Sequence, residues 1–190
     1  MFKIKLTPVV KDILVINIIL FIVSRFGILD RLILFPYDSE YFNPFQYITY
    51  AFMHQNFLHI FMNMLMLIFL GPSIEKRIGH KRFISMYILA AIGSALLHYT
   101  MVDSDTALLG ASGSVFAVLT GFGFLFPNQK MSIMLLPFQF KAKYLSMVLF
   151  GFELFRAFSS GCDGVSHWGH VGGGIVGVIY LYHLTKIKKL

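Results

Sequence analysis

Apolar runs about as long as a bilayer is thick constrain this chain more than any other feature of its sequence. A hydrocarbon core of about 30 Å requires roughly 20 apolar residues from a helix rising about 1.5 Å per residue. Reading the apolar stretches against charged and Pro/Gly punctuation predicts six helices, roughly 9 to 27, 46 to 70, 83 to 102, 111 to 126, 143 to 160 and 167 to 185. With 57% hydrophobic residues the composition departs from that of an ordinary soluble domain, and no stretch between the runs is long enough to form one. The expected fold class is all-α: a single polytopic membrane domain over residues 1–190.

Ile13 to Val23 follows Lys3, Lys5 and Lys11, the basic front of a signal peptide. The Ser24-Arg25-Phe26 sequence after it offers no small-residue cleavage site, which predicts a retained first span. Residues 28 to 44 include Pro36, Asp38, Glu40 and Pro44, and predict a structured loop partly in the membrane interface.

The net charge of +7 is spread in short clusters between the apolar runs, so it reads as membrane topology and not as a nucleic-acid surface. One side of the predicted topology collects Lys3, Lys5, Lys11, Lys76, Arg77, Lys81, Arg82, Lys130, Lys141, Lys143, Lys186, Lys188 and Lys189. The other keeps only Arg25, Arg31 and Arg156. Because basic residues are retained on the cytoplasmic side, both termini are expected there and the number of spans should be even. The connection with Asp103 and Asp105 is expected outside. Cys162 is the only cysteine, so neither an internal disulfide nor a multi-cysteine metal site is available. A compact chain without a targeting segment suits a prokaryotic cytoplasmic membrane.

In this topology spans two, four and six run the same way, and polar residues cluster at their outer ends. His54, His59 and Asn63 fall early in span two, Ser112 opens span four, and His167 and His170 open span six. Polar side chains are costly in lipid and turn toward a protein interior or a water-filled cavity, so their convergence predicts a site. Gly110-Ala111-Ser112-Gly113 sets a hydroxyl between glycines at a loop-to-helix junction, where free backbone N–H groups suit an oxyanion. Alone, that segment fits a capping serine with packing glycines equally well. His170, Gly173 and Gly177 share a helical stripe, and Gly113, Ala117 and Gly121 offer a matching small stripe on span four. If the stripes pack, His170 comes beside Ser112 as the base that a serine nucleophile needs. His59 and Asn63, at i and i+4, can donate hydrogen bonds to the same cavity, with the Ser112 backbone N–H as a third donor. His54 lies off that stripe and is expected to brace the loop above it. Glu153 and Arg156, at i and i+3, are spaced so that they could simply pair with each other.

These motifs resemble the rhomboid family of intramembrane serine proteases across nearly the whole chain. His54 to Asn63 reads H-x4-H-x3-N, Gly110 to Gly113 reads G-x-S-G, and His170, Gly173 and Gly177 read H-x2-G-x3-G, in the family's order. Glu75, Gly79, Arg82 and Phe83 resemble its link between spans two and three. The resemblance implies Ser112 as nucleophile, His170 as base and acid, His59 and Asn63 as oxyanion donors, and Phe116 as an aromatic ring packed on His170. It implies a Ser–His dyad without a third carboxylate, with Asp163 left as a loop residue. It also implies no cofactor or metal, and substrates that are transmembrane helices of other membrane proteins. One departure concerns the family's Trp-Arg pair in the first outer loop, since the only tryptophan here is Trp168.

Three other readings compete. A metalloprotease would use His54, His59, His98, His167 and His170, but H-E-x-x-H is absent. A non-catalytic rhomboid-like protein would bind transmembrane helices without cutting them, although such relatives usually lack the serine or the histidine. A small transporter would show broken helices and inverted repeats, which the sequence does not.

Overall fold

A computed structural model describes residues 5–27, 29–102, 106–132, 139–159 and 164–188. Its helices are α1 (Pro8–Ser24), α2 (Gln46–Thr49), α3 (Phe57–Ile78), α4 (His80–Met101), α5 (Ser112–Leu125), α6 (Ala142–Ser159) and α7 (His167–Lys188). Strands β1 (Lys130–Ser132) and β2 (Gln139–Lys141) pair antiparallel between α5 and α6, with Met131 opposite Phe140. This hairpin departs from a purely helical expectation. The expectations for Asp103, Asp105, Cys162 and Asp163 lie outside the described residues.

The second apolar run differs most from its predicted limits. Helix α3 starts at Phe57 and not near 46, because the chain first makes α2 and a 3-10 turn over Tyr50–Phe52. Asn56 then caps α3, its side-chain oxygen accepting the His59 N–H at 2.9 Å. The helix runs on through Gly71 and Pro72, both buried, and stops at Gly79, whose φ of 89° belongs to the left-handed region. Punctuation by Gly-Pro therefore did not end it. Pro72 forfeits one backbone donor, while its surroundings hold the helix together.

Gln46 organises the connection between α1 and α3. Its amide donates to the carbonyls of Arg31 at 3.0 Å and Tyr41 at 2.9 Å, and its Oε1 accepts the backbone N–H groups of Asn43 and Phe35. Tyr50 adds a bond from its hydroxyl to the Ala91 carbonyl, 2.7 Å away, which fastens the connection to α4. The expected structured loop is present. At the opposite end, the buried Glu75 carboxylate accepts from the Thr7 hydroxyl and from the N–H groups of Val9 and Val10, and so caps α1 from α3.

Among the described residues α3 and α4 are long and apolar enough by themselves to cross a membrane, and α5 is a shorter apolar helix. Ten of the 14 residues of α5 are buried, because α3, α4, α6 and α7 surround it. The outward faces carry exposed Ile16, Ile19 and Ile22 on α1 and Met147, Phe152 and Phe155 on α6, where a water-soluble protein would place polar residues.

Helices α5 and α7 approach closely along the two small-residue stripes. A Cβ on Gly173 would run into the Gly113 backbone, and one on Gly177 would stand 2.7 Å from Ala117 Cα. Thr120 Oγ1 crosses the same seam to donate to the Gly174 carbonyl at 3.0 Å. The other side of α7 rests equally closely on α4, where a Cβ on Gly172 would lie 2.7 Å from the Gly93 carbonyl oxygen. Gly177→Val should overpack this seam by about 1–3 kcal/mol and lower the thermal unfolding midpoint in detergent by several degrees. An unchanged midpoint would mean the helices do not pack at this distance.

Candidate active site

The start of α5 and the start of α7 meet at one end of the α5–α7 seam. Ser112 is the first residue of α5, reached through Gly110, whose φ of 128° is open to glycine and strained for other residues. The Gly110 N–H donates to the Tyr50 carbonyl at 3.0 Å, which ties this approach to the loop before α3. Ser166 fixes the start of α7 by accepting the Gly169 N–H at 3.1 Å, and its hydroxyl lies 2.8 Å from His98 Nδ1 on α4. Between these two anchored starts, Ser112 Oγ lies 2.8 Å from His170 Nε2. Phe116, one turn along α5, stacks on the imidazole with ring centroids 4.5 Å apart and planes 11° apart. His170 is thus held by a hydrogen bond at one edge and an aromatic ring on one face.

The other edge of the imidazole meets a carboxylate whose role the sequence reading left open. Glu153 Oε2, on α6, lies 2.8 Å from His170 Nδ1 and 2.6 Å from His167 Nδ1. All three side chains are largely buried, with 13%, 11% and 7% exposure for Glu153, His170 and His167. The spacing within its own helix offered only Arg156 as a neighbour of Glu153. That spacing says nothing of α7, which is adjacent only in the folded chain. The signal available in advance was a carboxylate in an apolar helix, which needs a partner wherever it points.

The α3 side of the site holds three polar residues. The His59 ring lies against Gly110, so that a Cβ there would stand 2.7 Å from His59 Nε2 and 3.8 Å from Ser112 Oγ. Asn63 Nδ2 donates to the His59 carbonyl at 3.0 Å and faces His54 Nε2 at 3.3 Å. His54 comes into the site because it precedes α3 and escapes the helical spacing that seemed to exclude it. Its ring meets that of His59 at 5.0 Å, and its Nε2 lies 3.5 Å from the Ala111 backbone nitrogen. Arg25 holds the turn from outside, donating to the carbonyls of His54 at 3.0 Å and Gln55 at 3.1 Å.

Glu153, His167 and His170 also offer three potential metal-ligand atoms within 4.8 Å of one another. Ligand atoms around one tetrahedral zinc, at bonds of about 2.0 Å, stand roughly 3.3 Å apart. The separations of 2.6 and 2.8 Å from Glu153 to the two histidines are those of N–H···O hydrogen bonds. The cluster therefore fits a carboxylate bonded by two imidazoles better than a metal centre.

A serine bonded to a histidine at the meeting point of two buried helix ends defines a candidate hydrolytic site within a membrane-type helical fold. The family model for the Rhomboid domain matches residues 42–187. Among curated relatives, Rhomboid protein 1, mitochondrial, of Saccharomyces cerevisiae is 34% identical over 149 residues, covering 72% of this chain and 40% of that protein. Rhomboid protease GlpG of Haemophilus influenzae is 30% identical over 156 residues, covering 80% of this chain and 76% of its own. Presenilin-associated rhomboid-like protein A, mitochondrial, of Danio rerio is 29% identical over 135 residues, with 69% of this chain and 35% of that protein covered. The chain belongs to the rhomboid family, whose members are membrane proteins. Similar proteins named as mitochondrial, chloroplastic and bacterial all occur, so kinship assigns a membrane and no single compartment.

Gly110→Ala should push the His59 ring aside and strain the backbone before Ser112. The thermal unfolding midpoint in detergent should fall, matching a strain of about 1–2 kcal/mol. An unchanged midpoint would mean that the Gly110 backbone is not held at this angle.

Proposed function

We propose that this protein is an intramembrane serine endopeptidase that cuts the transmembrane helices of other membrane proteins near their outer ends. The observation carrying this reading is the 2.8 Å contact of Ser112 Oγ with His170 Nε2 beneath the Phe116 ring. The family membership supports it, as does the name protease carried by the Haemophilus relative. In this reading α1, α3, α4, α5, α6 and α7 are six spans of one membrane domain, with both termini on the cytoplasmic side. The distribution of lysine and arginine supports that orientation.

In the first step Ser112 Oγ attacks the carbonyl carbon of the scissile peptide while His170 Nε2 takes its proton. The carbonyl oxygen becomes an oxyanion at the start of α5, within reach of the Ser112 backbone N–H, the His59 ring and the Asn63 amide. At rest Asn63 Nδ2 donates to the His59 carbonyl at 3.0 Å and faces His54 Nε2 at 3.3 Å, and donation to the oxyanion would replace the longer of these contacts. The C–N bond then breaks as the imidazolium protonates the leaving amine. Water hydrolyses the acyl-serine ester by the same two proton transfers in reverse order. A helical substrate protects its peptide bonds by its own hydrogen bonds, so segments with helix-breaking residues near the cut should be preferred.

Cleavage of a single-span model substrate in liposomes tests the reading. Ser112→Ala and His170→Ala should each abolish cleavage, with a chelator having no effect on the wild type. Asn63→Ala should lower kcat by about 100- to 1,000-fold. Cleavage retained by Ser112→Ala would overturn the assignment. A folded wild type that binds but never cuts such substrates would favour a non-catalytic helix-binding protein, and loss on chelation would favour a metalloprotease.

A further inference from the structure

We infer that Glu153 is the positioning residue of His170, making the proposed dyad a Ser112–His170–Glu153 relay with His167 as a second bond to the same carboxylate. The inference rests on the proposed protease activity and adds a third group from a different helix. When the Ser112 hydroxyl donates to Nε2, the neutral imidazole carries its proton on Nδ1, and that proton points at Glu153 Oε2 across 2.8 Å. The carboxylate therefore selects the tautomer that leaves Nε2 free to act as base. It also meets the positive charge that the ring acquires when it takes the serine proton, in a setting where burial strengthens the interaction.

Glu153 is itself held in place by the 2.6 Å bond to His167. One oxygen thus receives an N–H from each of two histidines on successive turns of α7, which fixes the carboxylate along that helix. The tie matters because α6 contributes only Ala142 and Ser146 as buried residues, both at its opposite end. Around Glu153 the same helix exposes Phe152, Leu154 and Phe155. This polar tie acts beside the edge contact of Phe158 with Trp168, ring centroids 4.9 Å apart, in holding that end of α6 against α7.

The groups facing His170 are Glu153 from α6, His59 from α3, Ser112 and Phe116 from α5, and His167 from α7, with Arg156 one turn beyond Glu153. Among the described residues Glu153 is the only acid in this set, so it alone faces the imidazolium that forms when Ser112 gives up its proton. Removing the charge makes the protonated ring harder to form. The acid limb of the pH–rate profile then moves to lower pH, while the plateau falls because proton transfer from serine loses its driving force.

Glu153→Gln keeps the size and an accepting oxygen but loses the charge, and Glu153→Asp keeps the charge on a shorter stem. At saturating substrate, Glu153→Gln should reduce kcat by at least about tenfold with KM nearly unchanged, toward the roughly 10,000-fold loss seen when a protease triad loses its acid. Its acid limb should move to lower pH. Glu153→Asp should recover part of the rate and return the limb to its wild-type position. Thermal unfolding in detergent accompanies each variant. Wild-type kcat and limb in Glu153→Gln would overturn the inference, as would equal loss in both variants with an unmoved limb and a lowered unfolding midpoint, the pattern of a structural tie alone. A second measurement needs no variant: proton NMR of wild-type protein with isotope-labelled histidine should find the neutral His170 proton on Nδ1, and the opposite tautomer would overturn it. Failure of the underlying activity is read separately, by fluorophosphonate labelling of Ser112 in the wild type.

Discussion

The close approach of α5 and α7 is the constraint on which the rest depends. Two helices with ordinary side chains pack with axes about 8–10 Å apart. Here Gly113 and Ala117 on one helix face Gly173 and Gly177 on the other, and neither glycine of α7 has room for a Cβ. Only at such a distance does a short serine side chain at the start of α5 reach an imidazole at the start of α7. In lipid, where apolar surface gains little by leaving the solvent, this backbone-to-backbone packing and bonds such as Thr120 to Gly174 supply much of the cohesion.

Around this seam the molecule uses its polar groups as fasteners at both ends. Glu75 caps α1 from the end of α3, Gln46 gathers the loop between them, and Ser166 joins α7 to His98 of α4. Each fastener satisfies backbone or ring polar groups that would be expensive to leave unpaired away from water. Helices α3, α4 and α7 pack around α5, and α6 lies against this group with Ala142 and Ser146 buried and one carboxylate turned toward α7.

His54 and Glu153 illustrate where reading the sequence runs out. Both were weighed by spacing within their own helices, His54 against His59 and Glu153 against Arg156. His54 joins the site because α3 begins only at Phe57, a boundary set by the Asn56 cap and by the tight turns before it. Glu153 joins because α6 turns it toward α7, where two histidines on successive turns share one of its oxygens. Periodicity ranks neighbours along one helix. It carries no information about which face a second helix will cover.

The sequence alone determined the order of the long helices and the small-residue stripes that let two helices touch. Those features are local: apolar length, glycine spacing and charge placement are properties of short segments, legible without a partner. The tertiary structure decided which helices lie side by side, that α4 grips α7 as tightly as α5 does, and that the imidazole of His170 has a carboxylate on its far edge. These are distances between segments remote in the chain, and they follow from how all the helices share one limited volume.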